Sequence, residues 1–280
     1  MNQSRKIRRI LNGTPVIEGA GVHLKRVFGF HDVPDLDPFL MLDDFRSADP
    51  LQYRKGFPWH PHRGIETITY VLKGDVEHGD SLGNRGVIGA GDVQWMTAGS
   101  GIIHQEMPKG DAQGAMYGFQ LWANLPASQK MIPPRYRGMT SDQIPVVKME
   151  NGGHVKVIAG SLGGVDGPMD DIAIDPEYFD CTVPPGETFV HQTAHDYTVF
   201  IYVIGGKGKT DETEIANGTL VLFDKGGFMK VDAADESLRF LLLAGKPLGE
   251  PVAWQGPIVM NTQAELETAF REYREGTFIK

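Results

Sequence analysis

Short strand-like runs fill most of the chain, and they constrain its fold more than any other feature. Each run holds β-branched and aromatic residues and is closed by Gly, Pro, Asp or Asn, while helical periodicity is nearly absent before the C-terminal end. The 35 Gly and 18 Pro residues are scattered without a period, so they indicate many tight turns. Strands at this spacing predict an all-β sandwich or barrel fold. The clearest runs are 66–72, 92–97, 116–123, 154–159, 197–204, 219–223 and 238–243.

The segment "TQAELETAFREYREG" near the C-terminus is the one convincing helix in the sequence. Thr262 is placed to cap its N-terminus, with Glu265 three residues later as in a capping box, and Gly276 is placed to end it. Leu266 and Phe270 follow the spacing of a helix that lies on a surface. We therefore predict a C-terminal helix beside the β-structure.

A weak internal repeat suggests two copies of one β-fold. "TYVLKG", which ends at Gly74, resembles "IYVIGG", which ends at Gly206, 132 residues later. The proline-rich stretch "NLPASQKMIPPRYRGM" lacks strand alternation and looks like a connection. We predict two barrels in tandem, residues 1–135 and residues 136–280, the second ending in the helix.

Charge and cysteine content narrow the classes of partner. The net charge of −9 opposes binding to the phosphate backbone of nucleic acids, so we expect no direct nucleic-acid partner. No apolar run resembles a signal peptide or approaches the length of a membrane span, so we expect a cytoplasmic protein without a membrane partner. The single cysteine, Cys181, excludes an intrachain disulfide and a metal site built from several thiolates.

Two pairs of polar residues have the spacing of metal ligands. His60 and His62 are two residues apart, as are His104 and Glu106, and side chains at this spacing share one face of a strand. Two such strands would present three imidazoles and one carboxylate to one point. This set suits a first-row divalent metal such as Fe(II), Mn, Ni, Cu or Zn. Octahedral coordination would leave open positions, which favours O2 chemistry on non-haem iron over a structural role.

Alternatives accompany each of these candidates. A single histidine pair is more often a packing or surface feature, and the presence of two pairs is what favours a metal site. Glu66 lies four residues after His62, so on a regular strand it would share the same face, and the carboxylate ligand could be Glu66, Glu106 or both.

Several long motifs carry a resemblance to a known family. "HPHRGIETITYVLKG" and "GDVQWMTAGSGIIHQEMP" resemble segments of the pirin family of the cupin superfamily, as do "TPVIEGAGVHLKRVFG", "DPFLMLDDF" and "LLLAGKPLGEPVAWQGPIVMNT". The resemblance extends from about residue 6 to residue 280. It implies two tandem cupin barrels, the double-stranded β-helix or jelly-roll fold. It also implies iron held in the first barrel by His60, His62, His104 and Glu106, with Glu66 nearby.

The second half fails the test that the first half passes. With the offset of 132 residues, His60 corresponds to Gln192 and His62 to Ala194, and the nearby His191 and His195 are one residue out of register. A slip of one residue turns a side chain to the opposite face of a strand. We therefore expect a second barrel without metal ligands.

The resemblance implies oxidative cleavage of flavonols such as quercetin by O2, with release of carbon monoxide. In this hypothesis Glu106 is the general base, and the partners are a small aromatic, flavonol-like substrate and O2. The alternative is an iron-containing, redox-responsive regulatory protein that acts through protein–protein contacts. A generic cupin isomerase or storage protein is a third interpretation.

The remaining polar and aromatic candidates have blander interpretations. Asp43 and Asp44 follow the apolar run "FLML" and are expected to cap or turn that segment. The aromatic residues beside the ligand segments could line a pocket or fill the core equally well; they are Phe57, Trp59 and Trp95. The isolated histidines are expected at the surface or in hydrogen bonds; they are His23, His31, His78 and His154.

Overall fold

The computed structural model describes residues 3–280 and consists mainly of antiparallel β-sheets. It divides into two compact units. The first unit comprises residues 14–35, 39–141 and 248–280, and the second comprises residues 3–13, 36–38 and 142–247. The predictions of an all-β fold and of a C-terminal helix are confirmed.

The first unit contains a seven-stranded sheet in the order β12-β9-β6-β11-β4-β3-β2, a four-stranded sheet in the order β5-β10-β7-β8, and the hairpin β25-β26. Short 3-10 helices lie at Phe30–Asp32, Pro50–Gln52 and Ala127–Gln129. The strands are β2 (Thr14–Glu18), β3 (Val22–Phe28), β4 (Phe39–Asp44), β5 (Phe57–His62), β6 (Ile65–Lys73), β7 (Asp75–Asp80), β8 (Arg85–Ile88), β9 (Val93–Thr97), β10 (Ile102–Lys109), β11 (Tyr117–Asn124), β12 (Arg135–Met139), β25 (Ala253–Gln255) and β26 (Ile258–Met260).

The second unit repeats this plan. It has a seven-stranded sheet in the order β1-β22-β19-β24-β17-β14-β13, a four-stranded sheet in the order β18-β23-β20-β21, and the hairpin β15-β16. The strands are β1 (Ile7–Leu11), β13 (Val146–Lys148), β14 (His154–Ala159), β15 (Ser161–Leu162), β16 (Val165–Asp166), β17 (Glu177–Val183), β18 (Thr188–Gln192), β19 (Thr198–Gly205), β20 (Lys207–Thr210), β21 (Thr213–Ala216), β22 (Leu220–Phe223), β23 (Phe228–Ala233) and β24 (Leu238–Gly245).

The two repeat segments found in the sequence occupy equivalent positions in the two units. "TYVLKG" lies in β6 and its end, and "IYVIGG" lies in β19 and its end. Each strand is third from one edge of its seven-stranded sheet. Both are almost fully buried, which explains why their apolar residues form an unbroken run.

The units differ from the predicted division at residues 135 and 136 because the two chain ends are exchanged. β1 pairs with β22 and so belongs to the second unit. The C-terminal helix was predicted to end the second barrel, but it lies in the first unit. The reason is hydrophobic: Leu266 and Ala269 of the helix pack in one buried cluster with Ile258 and Met260 of β26. As a division into consecutive modules, the boundary at 135 and 136 stays a prediction.

The C-terminal helix, α1 (Gln263–Glu275), begins and ends where its sequence predicts. The hydroxyl of Thr262 accepts a hydrogen bond from the backbone N–H of Glu265, and the Glu265 side chain bonds back to the cap. Gly276 ends the helix with φ at 73°, a left-handed conformation that favours glycine. Among residues 3–280, no helix combines the length and the apolar character needed to cross a membrane.

A buried lysine ties three segments of the first unit together. Lys130 is 1% exposed, and its Nζ donates to the carbonyl of Gly64 at 2.8 Å, to Oδ1 of Asn124 at 2.7 Å and to the carbonyl of Val259 at 3.0 Å. Burial lowers the pKa of this ammonium group to about 7. Because three acceptors surround Nζ, the lysine replaces the water that these buried oxygens would otherwise require.

Replacing Lys130 with methionine is expected to destabilise the protein, because three buried oxygens would lose their donor. We expect a loss of about 3 kcal/mol in the free energy of unfolding, measured by denaturant titration with and without the substitution. Lys55→Met, at an exposed position, is the control and should leave stability unchanged. Equal stability of the Lys130→Met and Lys55→Met variants would contradict this role.

Candidate metal centre

Two neighbouring strands bring the three candidate histidines together. β5 and β10 pair antiparallel, with His60 opposite His104 and His62 opposite Ile102. Because the side chains of His60 and His62 share one face of β5, all three imidazoles meet on the inner side of the four-stranded sheet. His62 and His104 are each 1% exposed, whereas His60 is half-buried. The spacing interpretation of these residues thus corresponds to a real cluster.

The three rings point their Nε2 atoms at one another. Nε2 of His60 lies 3.0 Å from Nε2 of His62 and 3.0 Å from Nε2 of His104. One ring nitrogen from each histidine can be chosen so that all lie within 4.8 Å of one another. This separation is what a single ion bound by all three imidazoles requires.

Backbone carbonyls identify which ring nitrogens carry protons. Nδ1 of His60 lies 2.8 Å from the carbonyl of Pro58, and Nδ1 of His62 lies 3.1 Å from the carbonyl of Pro257. A carbonyl oxygen can only accept, so we assign the proton of both rings to Nδ1, and Nε2 is left as a bare acceptor. Burial lowers the pKa of His62 and of His104 well below the ordinary value, which keeps these rings neutral.

The chemistry of this donor set fits a divalent transition metal. Bare Nε2 atoms 3.0 Å apart repel each other, since neither can donate a proton to the other. A cation bound between them converts the repulsion into attraction. Neutral imidazoles with their second nitrogen hydrogen-bonded to a carbonyl are the usual form of histidine ligands.

Glu106 lies beside the histidines in a closed hydrogen-bonded setting. Its Oε2 is 4.0 Å from Nε2 of His104. Thr69 donates to Oε1 at 3.0 Å, and the amide of Gln120 donates to Oε2 at 2.8 Å and to Oε1 at 3.1 Å. Trp122 in turn donates to Oε1 of Gln120 at 3.2 Å, which fixes the orientation of the amide. The carboxylate is therefore buried, oriented and adjacent to the imidazole cluster.

Glu66 lies on the other face of its strand. Thr69, three residues further along β6, reaches Glu106, and an odd step reverses the face. Glu66 instead accepts a hydrogen bond from Thr97 at 2.6 Å, and burial raises its pKa. The even step from His62 fails because the strand is interrupted at Gly64, whose φ of 78° is left-handed. The model thus brings Glu106, and not Glu66, beside the imidazoles.

A cavity of about 440 Å³ opens onto His60 and His62. Its walls are largely aromatic: the ring of Trp122 is 5.0 Å from that of His62, and the ring of Trp254 is 5.9 Å from that of Trp122. Phe57 also lines the cavity, which resolves its two interpretations in favour of a pocket. By contrast, Trp95 is buried in the core, and Trp59 is 51% exposed outside the cavity lining.

Sequence patterns missed several residues that surround Glu106. His78 was assigned to the isolated histidines, yet it lies opposite Glu106 across the β10–β7 pairing. Its ring stacks on Tyr136 at 5.7 Å and lies 2.8 Å from the amide of Gln94. Nothing local in the sequence marks Gln120 or Tyr136. Their proximity depends on strand pairing, which a single sequence does not show.

The expectation that Asp43 and Asp44 cap a turn is wrong. Both lie inside β4 and are buried. Arg26 donates to both oxygens of Asp43, and Arg46 donates to Asp44. Burial raises the pKa of Asp43 to about 6, although the guanidinium of Arg26 opposes that shift. Carboxylates can end a buried strand because arginines satisfy them.

The second unit places His191 differently from the register argument. His191 is buried on the inner face of β18, and its Nε2 lies 3.0 Å from Oε2 of Glu177. The expectation that it faces outward is wrong, because the link from β18 to β19 (193–197) is longer than the link from β5 to β6 (63–64). A constant offset of 132 residues therefore does not hold across that link.

Family models match both units. A model described as Pirin matches residues 21–123, and one described as the Pirin C-terminal cupin domain matches residues 178–279. The two matches account for more than half of the chain. The expectation of two cupin barrels is thereby confirmed.

Similar proteins cover almost the whole chain. A pirin-like protein of Caulobacter vibrioides is 44% identical over 98% of this chain and 99% of its own length. A Pseudomonas aeruginosa protein named provisionally as a quercetin 2,3-dioxygenase is 42% identical over 99% of both chains. The crystal structure of a quercetin 2,3-dioxygenase from Acinetobacter baumannii has a TM-score of 0.90, 31% identity and 99% coverage of both chains.

If the imidazole cluster binds a metal, removing one ring should weaken binding by more than about tenfold. We expect the purified chain to bind close to one Fe(II) per chain under anaerobic conditions, and His62→Ala to lose most of it at the same free metal concentration. His23→Ala, at an exposed position of β3, is the control. Metal analysis after gel filtration measures both. Undiminished metal in His62→Ala would count against the cluster as the site.

Proposed function

The chain belongs to the pirin family, and on that premise we propose that it is a metal-dependent flavonol 2,3-dioxygenase, which cleaves compounds such as quercetin with O2 and releases carbon monoxide. The observation that carries the proposal is the convergence of bare imidazole nitrogens beside the oriented carboxylate of Glu106, at the edge of an aromatic cavity. Each of these parts has a separate task in the proposed reaction.

The residues proposed to hold the metal are His60, His62 and His104, each through Nε2, together with Glu106. Fe(II) is the expected ion, and Mn, Ni, Cu and Zn suit the same nitrogen and oxygen donors. A bound divalent cation would lower the pKa of a flavonol hydroxyl and stabilise the anion that forms.

Glu106 is proposed to take the proton of that hydroxyl. A carboxylate can act as general base only if it lies within hydrogen-bond reach of the proton, and Glu106 is adjacent to the imidazole cluster. Thr69 and Gln120 hold both of its oxygens, so the group is oriented before a substrate enters. Such preorganisation reduces the cost of aligning the base at the moment of proton transfer.

The cavity is proposed to bind the flat ring system and to exclude water from the reacting atoms. A volume of about 440 Å³ lies in the range of small-molecule sites. Trp122 and Trp254 offer apolar faces for stacking, and Trp122 stands next to His62. A planar aromatic compound would thus lie against the tryptophans with one edge near the imidazoles.

Glu106→Gln should lower turnover by at least about a hundredfold at equal metal content, because an amide cannot take the proton. The assay follows quercetin loss and carbon monoxide release by the Fe(II)-loaded chain, with metal content determined in the same samples. Glu77→Gln, on the neighbouring strand β7, is the control. Full activity of metal-loaded Glu106→Gln would sink the base assignment. Bound iron without turnover in the unaltered chain would favour the redox-responsive regulator.

A further inference from the structure

A row of polar side chains crosses the inner face of the seven-stranded sheet. Thr69 on β6 is opposite Gln120 on β11, Gln120 is opposite Asp43 on β4, and Asp43 is opposite Arg26 on β3. Residues directly opposite on neighbouring strands share a face and lie side by side. At one end of the row, Thr69 and Gln120 bond to Glu106. The proposed reaction gives no task to the other end, Asp43 and Arg26.

Asp43 and Arg26 form a rigid pair in the wall of the cavity. Nε of Arg26 donates to Oδ1 of Asp43 at 2.9 Å, and Nη2 donates to Oδ2 at 2.8 Å. Nη1 of Arg26 donates to Glu18 at 2.9 Å. Asp43 is 4% exposed, and all three residues line the same cavity as His60 and His62. The guanidinium is thus engaged on all three of its nitrogens.

A buried ion pair of this kind is a weak source of stability, because desolvation offsets the attraction between the charges. What the pair does provide is a fixed acceptor. The two bonds from Arg26 use one lone pair on each oxygen of Asp43, and each carboxylate oxygen has a second. A ligand in the cavity that donates a hydrogen bond can therefore meet an oriented carboxylate.

The charges at this end of the cavity restrict the ligand. Asp43 and Glu18 are two carboxylates beside the single guanidinium of Arg26, so an anionic substituent would be repelled. A neutral hydroxyl can donate to Asp43 without bringing charge into the cavity. The aromatic walls add a preference for a flat ring that carries this hydroxyl.

We propose that Asp43, held by Arg26, is a specificity-determining residue of the cavity: its carboxylate accepts a hydrogen bond from a ring hydroxyl of an aromatic ligand whose other end lies at His60 and His62. The site therefore selects polyhydroxylated aromatic ligands over rings without that hydroxyl and over ligands with an anionic group there. This inference rests on the proposed function, because it names the ligand class of the same site, but it concerns binding and not turnover.

The experiment measures equilibrium binding to the full chain loaded with redox-inert Zn(II), under anaerobic conditions. Quenching of tryptophan fluorescence reports the ligand, because Trp122 and Trp254 stand in the cavity wall. The probes are quercetin, 3-hydroxyflavone, which has only the hydroxyl next to the carbonyl, and quercetin sulfated on its catechol ring. The unaltered chain should bind quercetin at least about tenfold more tightly than 3-hydroxyflavone and the sulfate most weakly.

Asp43→Ala should weaken quercetin binding by about tenfold to a hundredfold and leave 3-hydroxyflavone unchanged, so the preference collapses. It should also strengthen binding of the sulfated probe, since Arg26 then lacks its main counter-ion. Asp43→Asn keeps the shape and a neutral acceptor, so a smaller loss is expected, and it replaces Asp43→Ala if that variant does not fold. Asp44→Asn is the matched control, a buried carboxylate on the same strand that faces away from the cavity.

The proposal is overturned if folded Asp43 variants keep the preference for quercetin, or if Asp44→Asn loses it equally. It is also overturned if no probe binds. A hydroxyl preference that depends on Asp43, in a chain whose Fe(II) form releases no carbon monoxide, would support the binding role and refute the dioxygenase. Turnover with an unaltered preference in the Asp43 variants would do the reverse.

Discussion

The closeness of three Nε2 atoms is the constraint on which the rest of the first unit depends. Imidazole nitrogens 3.0 Å apart persist only if each ring is held from behind, and the carbonyls of Pro58 and Pro257 do this for His60 and His62. Pro257 belongs to the C-terminal segment, which explains why that segment must pack in the first unit. Lys130 strengthens the arrangement, because it joins the backbone two residues after His62 to the backbone two residues after Pro257.

The two units show that the sheet plan alone does not create the site. Both have seven-stranded and four-stranded sheets in equivalent orders, yet the inner face of β18 carries His191 paired with Glu177 in place of the β5 imidazoles. The polar row in the first unit extends the contrast, since it links Glu106 through Gln120 to the Asp43 end of the cavity. Chemistry in this protein is therefore a property of particular side chains on a shared framework.

The sequence predicts what depends on local spacing and fails where long-range pairing decides. The two-residue steps of His60–His62 and His104–Glu106 are local, and the predicted cluster has the expected faces. Glu66 failed because a left-handed Gly64 interrupts the strand, which no periodicity argument detects. Asp43 looked like a cap because a carboxylate after an apolar run usually ends it, and its arginine partner lies on another strand. Gln120 was invisible for the same reason.

X-ray absorption at the iron edge of the anaerobic Fe(II)-loaded chain tests the central claim most directly. The account predicts nearest neighbours of nitrogen and oxygen only, with the multiple-scattering signature of three imidazoles from His60, His62 and His104. In His62→Ala the signature should fall to two imidazoles in whatever iron remains bound. A spectrum with one imidazole or none, or one that His62→Ala leaves unaltered, would contradict the account.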